Sequence, residues 1–488
     1  MSKKITAFLQ YNENDYTKIF VKELQNSGLV SKIFLLCPKD NHTKIEGTNI
    51  LKIESPFDSN TIKLISDNAN SDYILYLNQD ILIELGQFAL ERFIYIAENT
   101  SSGLLYSDYL EITGEEKKPH QLIDYQLGSI RDEFNFGPIL FLSKEAIKNY
   151  KKSFDYKFAG LYDLFLSVSR TNKILRIPEF LYSTIATDLR KSGEKLFDYV
   201  NPKNREVQIE MEKAATEHLK MIGAYLKPEF EQINFDEKKF RYEASVIIPV
   251  KNRVKTIGDA IQSVLNQKTN FDFNLLIVDN YSTDGTTNVI KEFADKNDKV
   301  YHLIPTRKDL GIGGCWNEAV HHNDCGMFAI QLDSDDIYKG TDTIQKIVDK
   351  FKQEKCAMVI GSYSLTDFKL NELPPGIIDH KEWTPDNGRN NALRINGLGA
   401  PRAYYTPVLR DIKIPNVSYG EDYAISLAIS RNYKIGRIFE SLYYCRRWEE
   451  NSDAALSIEK QNINNTYKDR IRTIEIMSRQ KKNLADSK

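Results

Sequence analysis

The chain of 488 residues lacks the features that mark several common classes of protein. Its five cysteines are widely spaced and form no C-x-x-C pair, which excludes a disulfide framework and is typical of reduced thiols in the cytosol. No run approaches the roughly 18 apolar residues that span a bilayer. A formal net charge of −2 gives no basic surface for nucleic acid. We therefore expect a cytoplasmic protein, with at most a peripheral contact at the inner face of a membrane.

Histidines are also few, and their positions predict no metal site. Seven are scattered through the chain. His321 and His322 are adjacent on a predicted helix, where neighbouring side chains point about 100° apart and cannot both face one metal ion. His380 lies in a polar loop beside Trp383, where we expect a surface residue without a catalytic role.

Three carboxylates stand directly after an apolar run in the second half of the chain. Residues 328–337 read as a buried strand followed by Asp333, Asp335 and Asp336. Such a cluster repels itself unless a cation is bound, and open α/β sheets bind ligands at the carboxyl ends of their strands. Taken alone, the segment is more typical of a solvated acidic turn.

Two further strand patterns precede this cluster and also end in polar residues. Residues 245–253 read as a strand and a loop, followed by an amphipathic helix at 256–266. Residues 274–285 read as a second strand that ends at Asp279. Alternating strands and helices predict βαβ units in a largely parallel sheet, whose carboxyl edge gathers Asn252, Asp279 and Asp335.

Five motifs in this half occur in the order found in one enzyme family. They are Pro-Val-Lys-Asn (249–252), Val-Asp-Asn-Tyr-Ser-Thr-Asp-Gly (278–285), Gly-Ile-Gly-Gly-Cys-Trp-Asn-Glu-Ala (311–319), Asp-Ser-Asp (333–335) and Gly-Glu-Asp (420–422). On these motifs, roughly residues 241–450 resemble the nucleotide-sugar-binding half of a family 2 glycosyltransferase with the GT-A fold. Two departures stand out. Trp316 replaces an arginine common in relatives, and Tyr444 replaces the Gln of the Q-x-x-R-W motif of processive members.

The resemblance implies roles for the motif residues. Asp335 and Asp336 would hold Mn²⁺ or Mg²⁺, with few other protein ligands because the diphosphate and water supply the rest. Asp422, beside Glu421, would be the general base of an inverting transfer, although an acidic pair in a first helical turn is also typical of capping. The predicted nucleotide-sugar-binding residues are Pro249, Val250, Asn252, Asp279, Asp284, Gly313, Gly314, Asn317, Asp333, Arg446 and Arg447.

Two of these predictions rest on the chemistry of the side chains. The Asp279 carboxylate can accept the imide N–H of uracil, although an Asp before Asn280 is also typical of a turn. Arg446 and Arg447 can clamp diphosphate oxygens. Residues 397–402 are predicted to form part of the acceptor-facing wall, unless their glycines only make a turn.

The first half of the chain repeats the second without most of its acids. Aligning 162–182 with 423–443 gives 11 identities in 21 positions, and the segments 10–12 and 76–80 parallel 250–252 and 331–335. Leu36-Cys37-Pro38 stands where the second copy has Asp279, and Gly160-Leu161 replaces Glu421-Asp422. We predict a non-catalytic GT-A-like domain; a metal-independent second transferase is the alternative.

These observations predict two Rossmann-like α/β domains joined by a helical linker. The expected bounds are 1–190 for the degenerate domain, 191–240 for the linker, 241–452 for the catalytic domain and 453–488 for a basic terminal helix. The linker should contain one long helix at 203–226 that bridges the domains. The terminal helix should pack through Ile471, Ile474 and Ile476; a membrane contact through its basic face is the alternative. Its basic residues are Lys468, Arg470, Arg472, Arg479, Lys481 and Lys482.

The predicted function is metal-dependent, inverting, non-processive transfer from a UDP-sugar to a glycan, lipid-linked or protein-linked acceptor. Two alternatives remain at the level of sequence. One is a nucleotidyltransferase acting on sugar phosphates, which would release pyrophosphate. The other is a carbohydrate-binding scaffold without catalysis.

Overall fold

The computed structural model describes residues 4–38, 44–185, 204–235, 240–448 and 456–486. The chain divides into two compact units, one formed by Met1–Tyr225 with Ser457–Lys488 and the other by Leu226–Leu456. Each unit is built on one large sheet with helices, which confirms the predicted α/β class with two domains of similar architecture.

The first unit contains a nine-stranded sheet in the order β3-β2-β1-β4-β8-β6-β9-β5, with β7 paired to β6. Its elements up to the second unit are β1 (Ile5–Gln10), α1 (Asp15–Asn26), β2 (Val30–Pro38), β3 (Asn49–Ile53), α2 (Ser59–Asn68), β4 (Tyr73–Leu77), β5 (Ile83–Leu85), α3 (Ala89–Thr100), β6 (Leu104–Thr113), β7 (Glu116–His120), β8 (Ile139–Ser143), α4 (Lys144–Lys148), α5 (Gly160–Thr171), β9 (Ile174–Ile185) and α6 (Arg205–Met221).

The second unit contains a sheet in the order β12-β11-β10-β13-β17-β15-β18-β14, with β16 paired to β15. Its elements are β10 (Ala244–Val250), α7 (Ile257–Leu265), β11 (Phe273–Asp279), α8 (Thr286–Ala294), β12 (Val300–Leu303), α9 (Ile312–Val320), β13 (Phe328–Gln331), β14 (Ile337–Tyr338), α10 (Thr343–Glu354), β15 (Met358–Thr366), β16 (Glu372–Ile378), α11 (Gly388–Asn391), β17 (Arg402–Tyr405), α12 (Thr406–Ile412), α13 (Glu421–Asn432) and β18 (Ile435–Arg446). The last helix, α14 (Ile458–Asp486), belongs to the first unit.

The two sheets are equivalent strand for strand. β1 pairs in parallel with β2 and β4, and β10 pairs in the same way with β11 and β13. β6 and β9 are parallel, as are β15 and β18, each pair with a register shift. The identities between 162–182 and 423–443 therefore lie in equivalent α5–β9 and α13–β18 segments of a repeat that extends over both sheets.

The parallel strands are held by aliphatic side chains buried on both faces of the sheet. Val246, Ile247 and Ile248 of β10 are fully buried, as are Leu275 and Leu276 of β11. Continuous apolar runs of this kind suit strands covered by helices on both sides. Because β10, β11 and β13 are parallel, their carboxyl ends reach one edge of the sheet, and the loops that follow them meet there.

The helix predicted at 203–226 packs within the first unit. α6 buries Ala214, Ala215 and Leu219, and His218 Nδ1 lies 3.1 Å from Arg170 Nη1 on α5. An amphipathic helix buries its apolar stripe on the nearest complementary surface, which here is α5. Part of the predicted linker 191–240 lies outside the described residues.

The helix α14 also packs on the first unit, through buried ion pairs as well as apolar contacts. Ile471 and Ile476 are buried as predicted, whereas Ile474 is 58% exposed. Arg472 and Arg479, predicted to lie on an accessible basic face, are fully buried. They pair with carboxylates of the same helix, because Asp469 and Glu475 lie three and four residues before them.

Asp469 holds the centre of this contact. Its carboxylate accepts hydrogen bonds from Ser129 Oγ at 2.9 Å, Arg131 Nε at 3.2 Å and Arg472 Nη1 at 2.8 Å. Asp469 is fully buried and Arg131 is 4% exposed. The contact therefore joins the end of the chain to the loop before β8 through a carboxylate with two guanidinium partners.

We predict that Asp469→Ala lowers the free energy of unfolding of the first unit by about 3–5 kcal/mol, because it leaves two buried guanidiniums without their carboxylate. Urea unfolding followed by circular dichroism measures the change. Glu459→Ala, an exposed carboxylate of the same helix, is the matched control and should leave stability nearly unchanged. Equal stabilities of the two variants would contradict the role given to Asp469.

Candidate active site

The loops after β10 and β11 are tied together by their own polar groups. The Asn252 N–H donates to Ser282 Oγ at 2.9 Å, and Asn252 Oδ1 accepts from the Thr283 N–H at 2.8 Å. Asp284 Oδ2 accepts from the Val254 N–H at 3.0 Å. Asn252 has a φ of 55°, in the left-handed region where Asn is tolerated. These contacts form a preorganised rim at the carboxyl edge.

Asp279 is buried beneath this rim. The residue is 1% exposed, and its carboxylate accepts from the Ser282 N–H at 3.0 Å and from Thr287 Oγ1 at 2.6 Å, with His302 Nε2 at 3.4 Å. Burial opposes ionisation, but these hydrogen bonds prevail and hold the pKa of Asp279 well below its usual value. Asp279 thus organises the turn after β11, and a contact with uracil stays a prediction.

The three carboxylates after β13 occupy different environments. Asp333 Oδ1 accepts from Gln331 Nε2 at 2.8 Å, and the Asp333 N–H donates to Tyr443 Oη at 3.1 Å. Asp336 is 4% exposed, and its Oδ1 accepts from the Arg446 N–H at 2.8 Å. Burial, with repulsion from nearby carboxylates, raises the pKa of both Asp333 and Asp336.

Arg446 holds this carboxylate turn against β18. Its Nε donates to the Asp335 carbonyl at 2.6 Å, and its Nη1 donates to Asp259 Oδ2 at 2.8 Å. The residue is 3% exposed. Arg447, next along the chain, bonds its backbone N–H to a carbonyl of β15. The guanidinium of Arg446 therefore contacts the protein's own acids and backbone, and the diphosphate clamp predicted for both arginines remains a prediction.

An aromatic pair borders the Asp335 carboxylate. Trp448 Nε1 donates to Asp335 Oδ2 at 3.2 Å, and Arg253 Nε lies 3.9 Å from the same oxygen. The ring of Phe368 meets Trp448 edge to face at 5.4 Å, and the Arg446 guanidinium lies 4.8 Å from the Phe368 ring centroid. The Trp448 indole N–H and the Arg253 guanidinium therefore face the same oxygen of Asp335.

The Glu-Asp pair at the start of α13 faces the same edge. Asp422 Oδ2 lies 3.0 Å from Arg402 Nη1. Burial opposes the charge of Arg402, but the nearby acidic groups, Asp422 first, prevail and raise its pKa. Glu421 Oε2 is buried without a hydrogen-bond partner among the described residues. Burial, and then the charge of Asp422, raises the pKa of Glu421 to about 8. Glu421 therefore favours its protonated form at neutral pH.

The glycines of the third motif let the chain before α13 approach α9. A Cβ on Gly313 would lie 1.9 Å from the Pro415 carbonyl oxygen, and one on Gly314 would lie 2.3 Å from Asn416 Oδ1. Asn317 Nδ2 donates to the Ile414 carbonyl at 2.7 Å, and its Oδ1 accepts from the Ile414 N–H at 3.1 Å. These three residues position the segment 414–418 that leads to the Glu-Asp pair, and their contact with a nucleotide stays a prediction.

The remaining predicted residues lie where the strands place them. Pro249 and Val250 end β10, opposite Val278 and Asp279 of β11.

In the part of the chain that the structure describes, no group of three or more His, Cys, Asp or Glu side chains is arranged to hold a metal ion. The expected few-ligand site centred on Asp335 stays a prediction.

Two features of the site differ from the sequence expectations or lie beyond them. The expectation that His380 lies at the surface is wrong, because the residue is 2% exposed and its Nδ1 lies 2.7 Å from Glu382 Oε1. The pairing of Arg402 with Asp422 is marked by no local pattern. Only the fold brings the start of β17 next to the start of α13.

Comparison with known proteins identifies this half of the chain. Residues 245–404 match the family described as Glycosyl transferase family 2, so the second unit contains a domain of that family. The Minor teichoic acid biosynthesis protein GgaB of Bacillus subtilis (strain 168) is 26% identical over 247 residues, which cover 47% of this chain and 25% of the relative. The UDP-Glc:alpha-D-GlcNAc-diphosphoundecaprenol beta-1,3-glucosyltransferase WfgD of Escherichia coli is 27% identical, with 40% of this chain and 73% of the relative covered.

The chain is also similar to solved structures. One is TarS 1–349 of S. aureus in complex with UDP-GlcNAc, with a TM-score of 0.38 and 22% identity over 49% of this chain and 72% of that chain. Another is glucosyl-3-phosphoglycerate synthase of Mycobacterium tuberculosis with Mn²⁺, UDP and product, with a TM-score of 0.32 and 17% identity over 49% and 80%. The chain spans about a quarter of the length of the first curated relatives it matches.

We predict that Gly313→Ala displaces the segment 414–418, because the added Cβ would meet a backbone carbonyl that cannot rotate away. Faster amide hydrogen exchange at 414–422 and a lower melting temperature should result. Gly258→Ala in α7 is the matched control, since its Cβ would have only ordinary contacts at 3.9 Å. Unchanged exchange at 414–422 in Gly313→Ala would show that the close approach is not needed to hold this segment.

Proposed function

We propose that the second unit transfers a sugar from a UDP-sugar to a glycan or glycoconjugate acceptor, with inversion at the anomeric carbon and without processive synthesis. The observation that carries the proposal is the convergence of Asp333, Arg402 and the Glu421-Asp422 pair at one carboxyl edge of a family 2 domain. The name of the relative WfgD, a glucosyltransferase that uses UDP-Glc, supports a UDP-sugar donor.

The donor would lie over the rim formed by the loops after β10 and β11. Asn252 and Asp284 hold these loops in a fixed shape. Asp333 would meet the ribose. Pro249 and Val250 bring the first loop to the edge, and Arg446 and Arg447 bring positive charge from β18. A preorganised rim of this kind loses little conformational entropy when a ligand binds.

The carboxylates after β13 fit a divalent cation by their chemistry. They are hard oxygen donors, as Mg²⁺ and Mn²⁺ prefer. Burial, and then repulsion from neighbouring carboxylates, raises the pKa of Asp333 and Asp336, and a bound cation would favour their ionised forms. Asp335 would supply the ligand, with Asp336 supporting the turn through the Arg446 N–H. Bound there, the cation would neutralise the developing charge of the leaving diphosphate.

Asp422 is the proposed general base. The guanidinium of Arg402 lies 3.0 Å from its carboxylate and favours the ionised form that a general base requires. The same contact restricts the orientation of the carboxylate. Capping does not account for the pair on its own, because Asp422 is engaged with a side chain of β17 and Glu421 is buried. Deprotonation of the hydroxyl as it attacks C1 would give inversion.

The acceptor is proposed to be a glycan or a lipid- or protein-linked glycoconjugate, in line with the names of the relatives. None of the described helices is long and apolar enough to cross a membrane. The exposed face of α14 keeps Arg470 and Lys481 beside Ile474, so a peripheral membrane contact there is part of the proposal as a minor alternative.

The first unit is proposed to be non-catalytic. Asp80, which parallels Asp335, accepts from the Asn12 N–H at 2.7 Å and the Asn14 N–H at 3.2 Å, so it holds the loop after β1. At the start of α5 a Cβ on Gly160 would lie 2.4 Å from the Ser59 backbone nitrogen, which leaves no room for an acid equivalent to Glu421. Leu161 stands in the place of Asp422.

We predict that Asp335→Asn abolishes Mn²⁺-dependent binding of UDP, because the amide replaces the proposed ligand oxygen and its charge. Calorimetry measures the affinity, and tryptophan fluorescence reports displacement of the Trp448 indole from Asp335. Asp349→Asn, on the exposed face of α10, should behave like the parent protein. Binding of UDP and Mn²⁺ to Asp335→Asn at the parent's affinity would refute the metal assignment.

We predict that Asp422→Asn lowers kcat by about 10² to 10⁴, the usual contribution of a general base, while the donor affinity stays nearly constant. The transfer rate should be measured with a saturating donor, and donor affinity separately by calorimetry. Asp411→Asn, an exposed carboxylate of α12, serves as the control. Turnover above half of the parent's would reduce the Glu-Asp pair to a structural element of α13.

A further inference from the structure

The internal repeat places an arginine at the same position in both units, partly buried in the first and buried in the second. Arg176 in β9 and Arg437 in β18 are aligned identities, and each lies beside a residue of the neighbouring parallel strand, Tyr106 and Ile360 respectively. Each also donates from Nη1 to a backbone carbonyl, that of Leu122 or Leu398. The two arginines differ in what balances their charge.

In the first unit, carboxylates surround the arginine. Arg176 Nε lies 3.7 Å from Asp108 Oδ1 and 3.3 Å from Asp124 Oδ1. In the second unit, Ser362 takes the register position of Asp108, since each directly precedes the tyrosine paired with Tyr182 or Tyr443. The counter-charge supplied by the protein in one copy is therefore missing from that position in the other.

Arg437 is left with unused hydrogen-bonding capacity. The residue is 6% exposed, and within the described ranges its Nε and Nη2 have no hydrogen-bond partner and no carboxylate lies within ion-pair distance of it. The closest acid by electrostatic effect, Glu382, is already paired with His380. Burial lowers the pKa of Arg437 to about 10. A buried guanidinium in this state is stabilised by any anion that can reach it.

Arg437 lines a cavity of about 270 Å³ at the start of β18, and the cavity is rich in cations. Lys350 and Lys434 share one acid, Glu354, at 3.0 and 2.8 Å. Arg389 contributes a further positive charge and donates hydrogen bonds to the backbone carbonyls of Ser430, Lys227 and Glu229. The lining therefore carries four cations against one carboxylate.

Aromatic rings complete the cavity. The Trp383 ring centroid lies 5.7 Å from the Arg437 guanidinium, and the Phe230 ring lies 4.5 Å from that of Arg389. Phe439, also in the lining, is 43% exposed and so accessible to a ligand. Rings beside cations suit a ligand that has both an anionic group and a sugar ring, because the apolar face of a sugar packs on an aromatic surface.

We propose that this cavity binds a phosphate or carboxylate group carried by a molecule of about monosaccharide size. The site is separate from the carboxylate turn at Asp335. Arg437 and Arg402 both pair with Ile360, one from each side of β15, which puts their Cα atoms about 10 Å apart. The anion can belong to a free sugar phosphate or to an anionic acceptor chain that extends from the transfer site; the second source rests on the proposed function.

Calorimetry on the full-length protein tests the site without requiring transfer activity. The probes are glucose 1-phosphate for a free sugar phosphate, poly(ribitol phosphate) for an anionic chain, and glucose as the neutral control. Arg437→Met should weaken binding of the anionic probes at least about tenfold, the cost of losing a charge-assisted contact of about 1.4 kcal/mol or more. Lys434→Gln and Phe439→Ser, at accessible positions, should weaken it even if Arg437→Met folds poorly.

Two controls locate the binding. Lys352→Gln, on the same helix as Lys350 but outside the lining, should leave the affinity unchanged, as should Asp335→Asn.

The two anionic probes distinguish the two sources of the anion. Tighter binding of glucose 1-phosphate assigns a free sugar phosphate, and tighter binding of the polymer assigns an acceptor chain. Failure of both anions to bind at millimolar concentration, equal binding of glucose, or insensitivity to all three lining variants would overturn the proposal. Loss of transfer with this binding intact would count against the proposed function alone.

Discussion

Repulsion among the carboxylates at the carboxyl edge of the second sheet is the constraint to which the surrounding structure responds. Asp333, Asp335 and Asp336 lie within four residues, and the Glu421-Asp422 pair adds two more acids nearby. The protein distributes cations around them, with Arg402 facing the pair and Arg446 holding the turn. Burial, and then repulsion among the acids, keeps the pKa values of Asp333, Asp336 and Glu421 raised. Under the proposed function, a bound cation would relieve this repulsion.

The first unit shows what the same scaffold becomes when these acids are absent. Asn78 replaces Asp333, and the Asp80 carboxylate accepts hydrogen bonds from backbone N–H groups of the loop after β1. The start of α5 is closed by direct contact with α2 at Gly160. Strand order and pairing are unchanged, so the fold does not depend on the acids. The chemistry is therefore carried by a small set of side chains on a scaffold that is stable without them.

A structural feature could be predicted from the sequence where it depends on residues that are neighbours in the chain. Continuous apolar runs predict β10, β11 and β13, and their parallel pairing places Asn252, Asp279 and Asp335 at one edge. The repeat was visible because the α13–β18 segment keeps its identities. Burial of charged and polar side chains depends on distant partners and is not visible locally. Arg472, Arg479 and His380 all look solvent-exposed in the sequence, yet each is buried beside an acid of its own segment.

The same distinction changes the interpretation of the motif residues. Gly313, Gly314 and Asn317 are predicted to meet a nucleotide, but in the structure they meet the segment that carries the Glu-Asp pair. A glycine motif marks a close approach, and the pattern alone does not say whether a ligand or the chain itself approaches.

The first unit combines residues from the beginning and from the end of the chain. Because α14 places Asp469 and Arg472 in the core of the first unit, removing residues 1–190 would expose buried charges as well as apolar surface. The first unit is therefore closed by the segment that follows the second, and the two copies of the repeat are not interchangeable pieces of the chain.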